Sequence, residues 1–71
     1  MIETGQTYRH CDPRESIRIR IESYRPGDNR AFVVDAVTGK RPRWVLTNAL
    51  HDSDTTKTGA RRRTGYALER L

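Results

Sequence analysis

Ile17-Arg18-Ile19-Arg20-Ile21 alternates strictly between apolar and cationic side chains. A strand sends successive side chains to opposite faces, so this spacing puts three isoleucines on one side and two arginines on the other. The isoleucines predict a core face, the arginines a solvated one. The strand expected around them runs from Ile17 to Tyr24, and Pro26-Gly27-Asp28-Asn29 behind it has the turn chemistry of a hairpin loop. Ala31 to Val37, rich in β-branched residues, predicts the returning strand. Thr38-Gly39-Lys40 then makes a short connection into a further strand, Arg43 to Leu46.

Working outward, Thr7 to Cys11 reads as a first strand, begun after Gly5 and stopped by Asp12-Pro13, since proline cannot donate to a ladder. Thr47-Asn48-Ala49-Leu50 loses the alternation and is too short for a stable helix, which leaves a single 3₁₀ turn. Tyr66 to Leu71 supplies the last strand. The expectation is an all-β chain: a small five-stranded antiparallel SH3-like barrel with a single 3₁₀ turn before the last strand. An open, twisted antiparallel sheet, its exposed face covered by a partner or a second copy, fits the same pattern. The expected core is Tyr8, Ile17, Ile19, Ile21, Val33, Val37, Trp44, Leu46, Leu50, Tyr66 and Leu68.

Gly5-Gln6-Thr7-Tyr8, Asp12-Pro13-Arg14, the Ile17 to Ile21 strand and Thr64-Gly65-Tyr66-Ala67-Leu68 together resemble small uncharacterised proteins of actinobacteria and their phages. These share a Gly-Gln-x-aromatic opening and a Thr-Gly-Tyr-x-Leu close. The resemblance implies a barrel, with Gly5 and Gly65 leading into strands and Tyr8 and Tyr66 in the core, and it implies no activity. The regularly spaced glycines between valines that mark the KOW type of SH3-like barrel are missing.

The 71 residues make one small β-barrel domain, 1–71, with a flexible basic loop at 51–63. A chain of this length buries only about 60% of the surface its unfolded form exposes, which leaves room for a single core layer and no deep cleft. Cys11 is the only cysteine, so no intramolecular disulfide forms. Met1 to Gln6 has no basic region followed by an apolar run, and no window approaches a membrane span, so the expected location is cytoplasmic.

Residues 1–37 carry six basic and six acidic side chains, and residues 38–71 carry eight and three, so the whole net charge of +5 lies in the second half. That asymmetry points to a polyanionic or acidic partner. Lys40, Arg41 and Arg43 form one cluster; Arg61, Arg62 and Arg63, with Lys57 nearby, form the other. Lys40, Arg41, Arg43, Arg61, Arg62 and Arg63 are expected to contact phosphate, with Arg18 and Arg20 extending the surface unless Glu22 and Asp35 neutralise them. The expected function is non-enzymatic nucleic-acid binding, DNA or RNA. The alternative is a protein-interaction module, a phage or mobile-element factor docking on an acidic surface of a host protein.

Core burial is the expected role of Trp44, with a base-stacking platform beside Arg43 as the alternative. If the Val33 face is inward, Phe32 points outward and marks a contact surface. His10-Cys11-Asp12 joins three metal-ligand types, but neighbouring strand residues diverge and cannot converge on one ion. No orienting acid stands by Cys11 and His51, and Asp52 and Asp54 lie in the loop, so neither a catalytic group nor a metal or other cofactor is expected.

Overall fold

A computed structural model of the chain describes residues 2–12, 14–56 and 58–69. Six strands follow in order: β1 (Thr7–His10), β2 (Arg18–Ser23), β3 (Arg30–Asp35), β4 (Arg43–Leu46), β5 (Leu50–His51) and β6 (Tyr66–Leu68). A 3₁₀ turn, Thr47–Ala49, separates β4 from β5. The strands form one sheet in the order β4-β3-β2-β1-β6-β5, antiparallel throughout except for the parallel β5–β6 pair.

The all-β class and the single 3₁₀ turn are as the sequence predicts; the closed five-stranded barrel is not. Leu50, expected to end the turn, and His51, expected to open the loop, instead form a sixth strand paired with β6. No ladder joins β4 to β5, so the sheet is a curled half-barrel. Three residues of 3₁₀ turn nonetheless connect these two edge strands. That short link, at about 2 Å per residue, is what forces the sheet to curl. Arg70 and Leu71 of the expected final strand, and Pro13 after β1, lie outside the described residues.

Tyr8, Ile19, Ile21, Ala31, Val33 and Leu50 form the buried core, with Ile2, Tyr24, Val45, Tyr66 and Leu68 packed around it. The alternation of β2 carries through as read, since Ile19 and Ile21 lie opposite Asp35 and Val33 in register. A bulge then inserts Glu22, so that Ser23 rather than Glu22 faces Phe32. One extra residue inverts the parity of the strand beyond it. It turns Tyr24, which strict alternation sends outward, back onto the core.

The opening motif has a physical reason. Gln6 Oε1 accepts from the Tyr8 hydroxyl at 3.2 Å and from the Glu3 backbone N–H at 2.8 Å, which gives the buried phenol its polar partner. At the other end of the chain, Gly65 has φ 78°, and a Cβ there would stand 2.7 Å from the Ala49 carbonyl oxygen and 3.0 Å from His51 Nε2. Its own carbonyl accepts from the Cys11 N–H. Here a glycine is needed for conformation and for space.

Four expected core residues are instead exposed: Ile17, Val37 at 74%, Trp44 at 59% and Leu46 at 49%. Ile17 precedes β2, and Val37 lies in the turn after β3. For Trp44 and Leu46 the cause is register. Val33 faces the core and lies opposite Arg43, while Ala31 lies opposite Val45. Arg43 and Val45 therefore take the core parity of β4, and Trp44 and Leu46 take the reverse face.

The crowding at Gly65 predicts that Gly65→Ala destabilises by about 2–4 kcal/mol, combining left-handed strain with overpacking. Gly27→Ala, at φ 94° with open space around it, should cost only about 1–2 kcal/mol. Thermal melts of the two variants check this, and equal shifts would show that the contact at Gly65 is easily relieved.

Candidate nucleic-acid interface

The predicted basic residues fall into two groups according to their partners. Arg18 reaches Glu69 with two hydrogen bonds, Nε to Oε1 at 2.8 Å and Nη2 to Oε2 at 2.7 Å. This guanidinium holds the Glu69 carboxyl below the ordinary carboxylate range. Arg20 donates twice to Glu22 Oε1, at 3.1 and 2.8 Å. Both secondary candidates are thus neutralised, Arg20 by the expected Glu22, but Arg18 by Glu69 and not by Asp35. The Asp35 carboxylate is committed elsewhere: it accepts from the Val37 and Thr38 N–H groups, and these bonds lower its pKa. Arg9 pairs with Asp54 at 3.1 Å and Arg14 with Asp12 at 3.2 Å.

Lys40, Arg41 and Arg43 have no ion pair among the described residues, and the turn that carries them is well braced. Asp35 N–H donates to the Lys40 carbonyl at 2.7 Å, and Gly39 N–H to the Asp35 carbonyl at 2.8 Å. Arg41 has φ 58°, the one left-handed non-glycine among the described residues. Such a backbone costs roughly 1–2 kcal/mol. Its carbonyl accepts from Arg43 Nη1 at 3.2 Å, and its side chain is exposed.

Residues 51–63, read from the sequence as a flexible loop, hold a small hairpin. Thr55 and Arg61 form an antiparallel bridge, with Thr56 N–H donating to the Ala60 carbonyl and Arg62 N–H to the Asp54 carbonyl, both at 2.7 Å. The Arg9–Asp54 pair ties it to the reverse face of β1. Lys57 lies outside the described residues. Within the arginine run the extended backbone separates the three side chains. Arg61 and Arg63 are exposed and line a groove with Asp12, Arg14 and Ala60. Arg62 turns the other way, half-buried in a cleft with Leu50 and His51, and its Nε is buried without a hydrogen-bond partner. Burial, with the Arg62 charge added to it, pushes the His51 imidazole below its ordinary value, while burial raises the fully enclosed Cys11 thiol. Arg62 thus packs its Nε into the fold and is less exposed than Arg61 and Arg63.

The alternation of β1 turns His10 toward Tyr66, edge-on at 5.3 Å, and Cys11 to the opposite side. Among the described residues no three His, Cys, Asp or Glu side chains come together in a way that could hold a metal ion.

On the reverse face of β3 and β4, Phe32 lies opposite Trp44 and Arg30 opposite Leu46. The two rings meet edge to face, with centroids 5.1 Å apart and planes at 63°. Arg30 is exposed and unpaired among the described residues, and it belongs to neither of the clusters that the sequence picks out. The signal for it lies in the parity that sends Phe32 outward, because Arg30 is two residues away on the same strand.

No protein-family model, curated protein or solved structure matches the chain.

The split within the arginine run yields a prediction. Arg61→Ala and Arg63→Ala should leave stability within about 0.5 kcal/mol. Arg62→Ala should lower the melting temperature through lost packing of its stem, whereas Arg62→Met, which keeps a stem and removes the orphaned Nε, should melt at or above the native protein. Identical melts for all four variants would show that Arg62 is solvated like its neighbours.

Proposed function

We propose that the protein binds nucleic acid without catalysing a reaction, through phosphate contacts from Lys40, Arg41, Arg43, Arg61 and Arg63. The observation that carries this reading is the partition of charge. Arg9, Arg14, Arg18 and Arg20 spend their guanidinium groups on carboxylates, while these five cations have none among the described residues. An unpaired, accessible cation has counterion release to offer, and a paired one has much less. Arg18 and Arg20 therefore drop out of the interface, and Arg62 is withdrawn from it.

The order of meander, 3₁₀ turn and return strand against β1 supports reading the fold as an opened SH3-like arrangement. That kinship is one of shape and lends no function of its own. A second reading has one observation in its favour: β4 is an edge strand whose outer backbone groups have no strand partner among the described residues. Such an edge accepts a peptide strand, and the cations beside it favour an acidic one.

Titration with duplex DNA, single-stranded DNA and RNA tests the proposal. Log affinity should fall linearly with log salt, with a slope of about −0.9 per phosphate neutralised on duplex DNA. Arg61→Ala with Arg63→Ala should reduce the slope's magnitude by up to about two such units. Arg41→Gly should separate binding from stability, weakening binding while leaving the melting temperature unchanged or higher, because glycine removes the left-handed strain. Absence of binding at low salt would contradict the reading, and strand-like pairing of an acidic peptide along β4 would favour the second.

A further inference from the structure

We infer that the ligand is single-stranded and that its bases stack on the Phe32 and Trp44 face, a step that rests on the nucleic-acid reading above. The only tryptophan of a small chain stands 59% exposed on an edge strand, although the core has little apolar area to spare. Its orientation is set in advance by the edge-to-face contact with Phe32 at 5.1 Å. A ring already held in place loses little conformational freedom when a planar group settles on it. Leu46, two residues further along the same face, extends the apolar platform.

Charge identifies the planar group. Arg30 flanks the platform at the Leu46 end, and the turn that carries the exposed Lys40 and Arg41 leads into it at the other, while Arg43 takes the core side of β4. Among the nearby acids, Glu22 is bound to Arg20, and Asp35 is held by backbone N–H groups and attracts Arg41 without an ion pair to it among the described residues. An apolar platform between unpaired cations fits an unstacked base on an anionic chain, and such stacking tolerates any sequence. In a duplex the base faces are already stacked on one another and unavailable to Trp44. A second copy fits poorly, because pairing this face with itself sets like charges against like.

The test compares an oligothymidine strand with a duplex of mixed sequence, each titrated against the native protein, Trp44→Ala, Trp44→Phe and the Arg61→Ala, Arg63→Ala double variant. Trp44→Ala should weaken single-strand binding about 5- to 150-fold, with duplex binding changed less than about twofold. Trp44→Phe should recover most of the loss, which a merely structural role for the indole would not require. The double variant should weaken both ligands. Equal effects of Trp44→Ala on strand and duplex, or none on either, would overturn the stacking inference while leaving phosphate binding intact. No binding to any nucleic acid would overturn both. A native dimer in sedimentation that Trp44→Ala and Trp44→Phe render monomeric would assign the face to a second copy and overturn the inference as well.

Discussion

The pairing of Arg43 with Val33 is the constraint on which the rest of the surface depends. A shift of one residue would carry Trp44 and Leu46 into the core and expel Val45, because strand side chains alternate with a period of two. Hydrophobicity alone favours that shifted arrangement. The turn prevents it. Two backbone hydrogen bonds, the Asp35 carboxylate on the Val37 and Thr38 N–H groups, and the left-handed Arg41 fix its path, and the path fixes the register of β4. The strain at Arg41 and the exposure of Trp44 are thus two consequences of one turn.

The same sheet uses its two faces differently. One carries the core. The other is divided: over β1, β5 and β6 the hairpin of residues 54–62 lies across it, enclosing Cys11 and Ala67 with the help of Arg62 and the Arg9–Asp54 pair. Over β3 and β4 the reverse face buries Val34 and half-buries Phe32 but leaves Trp44 and Leu46 exposed, with Arg30 at one end and the turn carrying Lys40 and Arg41 at the other, none of the three in an ion pair among the described residues. In the middle, Arg18 and Arg20 are quenched by Glu69 and Glu22. A net charge of +5 by itself says nothing of this division, which arises from which carboxylates the fold brings within reach.

Much of the fold was legible in the sequence because it rests on local pattern. Ile19 and Ile21 announce β2, the turn residues at 26–29 and 38–40 delimit the meander, and the loss of alternation after Leu46 marks the 3₁₀ turn. The hidden features depend on pairing between distant segments. Leu50-His51 is too short to look like a strand until β6 lies beside it. Trp44 looks like core until its partner across the ladder is known. Arg61, Arg62 and Arg63 are indistinguishable as a run, and only the hairpin's extended backbone sends the middle one inward. For Arg18 and Glu69, far apart in the chain, no local signal foretells the pair.

Collisional quenching of the single tryptophan tests the account most directly, since emission at the tryptophan excitation edge comes from Trp44 alone. The account predicts that acrylamide quenches the free protein almost as efficiently as an exposed indole. It further predicts that a saturating oligothymidine strand protects Trp44, whereas a saturating duplex leaves it accessible. Blue-shifted emission that acrylamide barely touches in the free protein would place Trp44 in the core and contradict the register from which the interface is built.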